Sequence, residues 1–108
     1  MLRGEVWWVD FDPSCGSEIQ KTRPAVIVSN DVSNRVMARV QVIPLSGNVA
    51  NIYPSEALVT VGDVQSKAMA DQLATADKKR LKKLMGQLSA PDMRAVERVM
   101  KIQLGLSL

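Results

Sequence analysis

Short runs of β-branched, aromatic and aliphatic residues, separated by polar loops, divide most of the chain. We predict six strands from these runs, at 4–11, 23–29, 38–45, 56–61, 65–70 and 83–88. Gly62-Asp63 lies between the fourth and fifth runs, as expected of a tight hairpin turn. The polar segments 12–22 and 46–54 are predicted to be long loops, which in small domains are often functional.

Helical spacing of apolar residues occurs mainly near the C-terminus. Ser89-Ala-Pro-Asp92 matches a capping box at a helix start, and an apolar stripe for docking on a sheet follows. The stripe consists of Met93, Val96, Val99, Met100 and Gln103/Leu104. A short helix from Asn30 or Asp31 to about Met37 and a single turn capped by Asp77 are also predicted.

These elements predict a mainly β fold of the α+β class. With 108 residues the chain forms one domain, 1–108. We expect a small SH3-like barrel or a strongly bent antiparallel sheet with a C-terminal helix. A domain of this size has little surface for a deep active site, and a groove shared between two copies of a homodimer would supply one.

Composition and charge narrow the class of protein. No apolar run approaches the roughly 20 residues that span a bilayer, and residues 1–5 lack the apolar stretch of a secretory signal. Cys15 is the single cysteine, so no internal disulfide forms. We therefore expect a cytoplasmic protein without membrane contact. The net charge of +3 permits a polyanionic partner but does not require one.

The chain contains no histidine. This removes the commonest general acid–base residue, and a lone cysteine with scattered carboxylates makes a zinc site improbable. We predict no metal and no cofactor. Any chemistry has to use arginine, lysine, serine, aspartate and glutamate.

Two motifs separated by a short spacer carry a specific resemblance. The segments 4–18 (GEVWWVDFDPSCGSE) and 21–29 (KTRPAVIVS) resemble the MazF/PemK (Kid-like) family of toxin endoribonucleases. The resemblance continues at 42–46 (VIPLS), at Tyr53-Pro54, at 70–72 (ADQ) and through the C-terminal helix. It implies the bent sheet of the CcdB/Kid type and covers essentially the whole chain.

Arg23, Ser46 and Glu18 are the candidate catalytic residues. By position alone, Arg23 has two interpretations: its planar guanidinium donors could bind a phosphate, or it could be an ordinary surface arginine. Ser46 and Glu18 are residue types that are typical of loops and turns. The resemblance makes Arg23 the central catalytic residue and Ser46 the counterpart of a family threonine. It also implies that Glu18 is needed for activity.

Five further residues are expected to support the site or to bind RNA. They are Ser17, Lys21, Lys67, Asp71 and Gln72. The Asp-Gln pair matches one that lines the family's groove, although alone it is typical of turns. The two lysines lie beside motif positions.

Other features stay open at the level of sequence. The basic run 78–83 fits a phosphate-binding patch and a solvated turn equally well. Trp7 and Trp8 could stack on bases, but neighbouring strand residues face opposite ways, which predicts that at least one is in the core. Cys15 lacks a histidine to activate it, so we expect it to be incidental.

The resemblance implies a toxin of a type II toxin–antitoxin system that cleaves single-stranded RNA and binds a MazE-like antitoxin. The RNA's own 2′-hydroxyl would attack, leaving a 2′,3′-cyclic phosphate and a 5′-hydroxyl. Glu18 or Asp71 would accept the proton, because arginine stays protonated at neutral pH. The alternative is a non-enzymatic toxin of the same fold that binds a protein such as gyrase. The combination of Arg23, Glu18 and Ser46 argues against it.

Overall fold

The computed structural model describes residues 1–108 and contains seven strands and two helices. The strands are β1 (Glu5–Asp10), β2 (Thr22–Ile27), β3 (Arg39–Ser46), β4 (Glu56–Val61), β5 (Val64–Met69), β6 (Ala74–Asp77) and β7 (Leu81–Gln87). The helices are α1 (Asp31–Val36) and α2 (Ala90–Leu104). Single 3-10 turns at Ala70–Gln72 and Lys78–Arg80 flank β6. No helix is both long and apolar enough to cross a bilayer.

All seven strands belong to one antiparallel sheet, in which six follow the order β4-β5-β3-β2-β1-β7 and β6 pairs with β3 outside this order. One edge of β3 pairs with β2, and its other edge is divided between two strands. The first half of β3 pairs with β6, and its end pairs with β5. Because partners change along β3, the sheet bends there, which confirms the predicted strongly bent sheet.

Both faces of the central strands are buried. On β2, Val26 packs into a larger apolar cluster with α2, β4 and β5, while Ala25 and Ile27 pack into a smaller cluster on the opposite face. Strands covered on both faces have nearly continuous apolar runs, which explains the run at 25–28. Trp7 packs against the smaller cluster and Trp8 is half-buried, so neither ring is fully exposed.

Helix ends follow the predicted caps, with one correction. Asn30 caps α1 and Ser89 caps α2 through side-chain bonds to backbone N–H groups. The second half of the predicted capping box is wrong, because the Asp92 carboxylate accepts the backbone N–H of Thr60 at 2.8 Å instead. Asp92 thereby joins the first turn of α2 to β4.

Two other predictions need correction. The sequence predicted six strands and missed β6, whose backbone pairs with residues 39–42 of β3. The apolar stripe of α2 is shorter than predicted, because Leu104 is exposed at the end of the helix while Val96 and Val99 are buried. The predicted hairpin at Gly62-Asp63 is confirmed by the β4–β5 pairing, which ends at Val61 and Val64.

Candidate active site

Arg23 lies on β2, close to the point where the strand emerges from the loop at residues 11–21, called here the β1–β2 loop. Its side chain is on the face of Ala25 and Ile27, beyond the end of the smaller apolar cluster, and it is exposed. The guanidinium makes one hydrogen bond, from Nε to the carbonyl of Gln20 at 3.3 Å. Its terminal nitrogens are therefore available to an anion such as a phosphate.

Ser46 is the last residue of β3, at the same end of the sheet as Arg23. The β2–β3 pairing ends at Ala25 and Pro44, and Arg23 and Ser46 each lie two residues beyond that last pair on neighbouring strands. The Ser46 hydroxyl oxygen accepts the backbone N–H of Asn48 at 3.2 Å. Its proton stays free to donate to a second oxygen.

Glu18 and Asp71 line a common groove of about 370 Å³. One wall is the β1–β2 loop, and the other is formed by residues 71–76 and Arg80. The Glu18 carboxylate accepts the backbone N–H of Cys15 at 2.7 Å, which holds it in a turn of the loop. The groove is thus lined by both carboxylates that the sequence analysis proposed as proton acceptors, Glu18 and Asp71.

Gln72 connects the two walls of this groove. Its side-chain oxygen accepts the backbone N–H of Ile19 at 3.2 Å, and its nitrogen donates to the carbonyl of Ser17 at 3.5 Å. Ser17 therefore contacts the opposite wall through its backbone. Gln72 acts on the position of the loop that carries Glu18.

Lys21 closes the base of the β1–β2 loop. Its φ of 64° is in the left-handed region, which is unusual for a residue with a side chain. Its N–H donates to the Asp12 carboxylate at 2.9 Å, and its carbonyl accepts the N–H of Phe11 at 2.9 Å. This arrangement fixes the direction of the chain two residues before Arg23, and the Lys21 side chain is exposed.

Lys67 is the sequence candidate whose surroundings differ most from expectation. It lies opposite Ser46 in the β3–β5 register, but it is only 8% exposed. Its ammonium group is 3.0 Å from the Glu56 carboxylate and 3.0 Å from the carbonyl of Asn51. These partners occupy the charge that we expected to face RNA.

Arg80 has a structural function that the sequence left open. Its Nη1 donates to the carbonyls of Asp10 and Asp12, at 3.0 and 2.6 Å. Because Arg80 directly precedes β7, these bonds hold the start of the β1–β2 loop against the segment that leads into β7. Within the basic run only Arg80 lines the groove, while Lys82 donates to the nearby carbonyl of Lys79. Nothing in the sequence distinguishes Arg80 from the lysines around it in the basic run 78–83.

The site therefore has two parts joined by residues 18–23. One part is the Arg23–Ser46 pair of donors at adjacent strand ends, suited to an anion. The other is the groove with Glu18 and Asp71, suited to accepting a proton. Cys15 is exposed in the loop as a free thiol.

Comparison with known proteins assigns the fold and the family. Residues 2–104 match the model of the PemK-like, MazF-like toxin of type II toxin–antitoxin systems. The endoribonuclease MazF9 of Mycobacterium tuberculosis is 38% identical over 115 residues, spanning 98% of each protein.

Solved structures share the architecture. An endoribonuclease in complex with its cognate antitoxin from a mycobacterial species has a TM-score of 0.85 and 25% identity, over 100% of this chain and 98% of that one. MazF from Deinococcus radiodurans has a TM-score of 0.87 at 24% identity, over 98% and 97% of the two chains. Given a family match over residues 2–104 and a relative aligned over 98% of each protein, this chain belongs to the PemK-like, MazF-like toxins of type II toxin–antitoxin systems.

Proposed function

We propose that the chain is a metal-independent, sequence-selective endoribonuclease that cleaves single-stranded RNA and thereby arrests growth. The observation that carries this proposal is the placement of Arg23, with free terminal nitrogens, and Ser46, with a free hydroxyl proton, at the same end of two neighbouring strands. The name of the M. tuberculosis relative supports the activity. The cytoplasm is the compartment in which such an enzyme meets its RNA.

In the proposed mechanism the 2′-hydroxyl of the RNA attacks the adjacent phosphorus, the bond from phosphorus to the 5′-oxygen of the next nucleotide breaks, and that oxygen takes up a proton from water. Arg23 stabilises the negative charge that develops on the non-bridging oxygens, which is commonly the largest contribution in such sites. Ser46 donates a hydrogen bond to the same phosphate. The products are a 2′,3′-cyclic phosphate and a 5′-hydroxyl, and DNA, which lacks the 2′-hydroxyl, is not a substrate.

Glu18 or Asp71 accepts the 2′-proton in this proposal. Both carboxylates line the groove, and Gln72 holds the loop of Glu18 against the wall that carries Asp71. A pH–rate profile of Glu18→Gln and Asp71→Asn distinguishes them. The variant that lacks the base loses the acidic limb of the profile, while the other retains it at a lower rate.

Cleavage mapping tests the central proposal. Purified protein is incubated with a chelator and a long RNA, or with the DNA of the same sequence, and the ends are mapped. We expect RNA-specific cleavage that leaves 5′-hydroxyl ends, and a loss of about 10²–10³ in rate for Arg23→Ala. Arg39→Ala, at the exposed opposite end of β3, is the matched control and keeps its rate.

The same mapping separates the enzyme from the alternative toxin. If the wild-type protein cleaves no RNA, the endoribonuclease proposal is overturned and a protein-binding toxin of the same fold is favoured. Ser46→Ala measures the contribution of the Ser46 hydroxyl to the cleavage rate. We expect the rate to fall about 10-fold, as for the loss of one hydrogen bond to a charged group. An unchanged rate would remove Ser46 from the site.

Two partners belong to the proposal. One is a MazE-like antitoxin that covers the groove, supported by the mycobacterial structure determined with its cognate antitoxin. The other is a second copy of the chain, supported by the exposed apolar side chains of Leu58 and Ile102 beside a groove between β4 and α2. Sedimentation analysis of the protein alone tests the homodimer.

A further inference from the structure

A buried ion pair lies beneath the loop at residues 47–55, called here the β3–β4 loop. The side chains of Lys67 and Glu56 are 10% and 8% exposed, and their charged atoms are 3.0 Å apart. The ring of Tyr53 covers the ammonium group, with its centroid 5.3 Å from Nζ. A charge pair this deeply buried loses most of its hydration, so stability alone is a weak reason for it.

Each member of the pair also binds the backbone of the β3–β4 loop. Lys67 donates to the carbonyl of Asn51 at 3.0 Å, and Glu56 accepts the N–H of Tyr53 at 2.9 Å. The other hydrogen bonds of residues 47–54 are local, between positions two or three apart. Two bonds reach the loop from farther away: the N–H of Ala70 donates to the carbonyl of Ser55 at 3.1 Å at the end of the loop, and the bond from Lys67 fixes the middle of the loop to β5.

The pair lies close to the proposed catalytic hydroxyl. Lys67 is directly opposite Ser46 in the β3–β5 register, and the loop that it holds begins at the next residue. A base next to a phosphate bound at Ser46 would lie near the start of this loop. The exposed ring of Tyr53, with one face on the ammonium group, presents its remaining surface to solvent.

We propose that Lys67 and Glu56 are positioning residues that anchor the β3–β4 loop and so determine which RNA sequence is accepted beside the cleaved bond. This proposal rests on the proposed endoribonuclease function. It assigns Lys67 an indirect role, acting through Asn51 and Tyr53 rather than by contact with phosphate. Loss of the anchor leaves the Arg23–Ser46 donors in place but frees the loop to fit several bases.

The double variant Lys67→Met/Glu56→Leu separates anchoring from stability. Replacing both charges with apolar side chains of similar size removes the anchor without leaving one charge buried and unpaired, and such replacements are often neutral or stabilising. Arg3→Met/Glu97→Leu is the matched control. It removes the 3.2 Å ion pair between the N-terminal segment and α2, together with the bond from Arg3 Nε to the carbonyl of Val28, and no hydrogen bond of the β3–β4 loop is lost.

Two measurements are made on the full-length protein. Backbone ¹⁵N order parameters of residues 48–52 are expected to be about 0.85 in the wild type and below about 0.6 in the double variant. Cleavage is measured on an oligonucleotide of the mapped sequence and on its single-base variants. We expect selectivity in kcat/KM to fall about 10-fold, while kcat on the mapped sequence stays within about threefold.

The outcomes are distinguishable. A flexible loop in the wild type, or unchanged order parameters in the double variant, overturns the anchor. A flexible loop with full selectivity in a double variant of wild-type melting temperature overturns the role in specificity. If the wild type cleaves no RNA, the proposed function and the specificity role both fail, while the order parameters still decide the anchor.

Discussion

Replacing Arg80 with methionine tests whether the basic run contributes a structural residue. Methionine keeps an apolar stem of similar length but removes the two hydrogen bonds to the carbonyls of Asp10 and Asp12. Asp10 is the last residue of β1, so the change loosens both the end of that strand and the start of the β1–β2 loop. We expect Arg80→Met to fold, with a clearly lower free energy of unfolding.

The size of the effect follows from the two contacts. A hydrogen bond from a charged donor contributes about 1.5–3 kcal/mol. The bond to Asp10 is partly buried, so its contribution to the free energy of unfolding lies near the lower end of that range. The carbonyl of Asp12 is exposed and can bind water instead, so the bond to Asp12 contributes less. The sum is about 2 kcal/mol, which lowers the melting temperature of a domain this size by about 10 °C.

Thermal and urea unfolding followed by circular dichroism measure this difference. Lys82→Met is the matched control, because Lys82 loses the same charge but donates only to the exposed carbonyl of Lys79. It should change stability by no more than about 0.5 kcal/mol. If Arg80→Met unfolds at the same temperature as Lys82→Met, the structural assignment of Arg80 is refuted.

Three further changes test separate parts of the structure. Ser89→Ala removes the cap of α2 and should cost about 1 kcal/mol in urea unfolding, and no loss would mean that the helix start is held by other contacts. The backbone N–H of Arg3 and then the side chain of Asn34 lower the pKa of Asp31 from its ordinary 3.8. Because the folded-state pKa is depressed, the stabilisation is complete above the ordinary value and disappears as the pH falls through the folded value. Urea midpoints from about pH 7 to about pH 2.5 should therefore differ between wild type and Asp31→Asn at neutral pH and converge in acid. Cys15→Ser should leave RNA cleavage unchanged, and a large loss of rate would show that the thiol takes part.

Much of the sheet could be predicted because its signals are local. The run at 25–28 is apolar on successive positions because both faces of β2 are covered, and the short polar sequence Gly62-Asp63 turns between two clear strands. The helix starts at 31 and 90 follow from capping side chains that bond to N–H groups three residues away. In each case the sequence signal itself lies within a few residues, even where distant elements supply the packing.

β6 could not be predicted for the opposite reason. Its sequence, Ala-Thr-Ala-Asp, is poor in the β-branched and aromatic residues that favour strands. It is a strand because its backbone pairs with residues 39–42, more than thirty positions earlier, and because Ala76 fits the smaller apolar cluster. The pattern of a four-residue segment contains neither fact.

The candidate site divides in the same way. Arg23, Ser46 and Glu18 came from motif resemblance, and the structure places the first two at the same end of neighbouring strands, each two residues beyond the last β2–β3 pair. The burial of Lys67 arises from Asn51 and Tyr53, which lie in a loop far from it in sequence. Nothing in the sequence around Lys67, between Ser66 and Ala68, indicates that the β3–β4 loop lies over it.

The sheet order also governs when the protein can fold during its synthesis. β1, the first strand made, pairs on one side with β7, and the end of β3 needs β5 while its start needs β6. Pairings between such distant segments form slowly and only after the later strands exist. A chain that ends before β7 therefore lacks α2 and leaves the β7-facing edge of β1 unpaired. In the proposed toxin, the sheet and the helix that hold the site are complete only after β7 and α2 have been made.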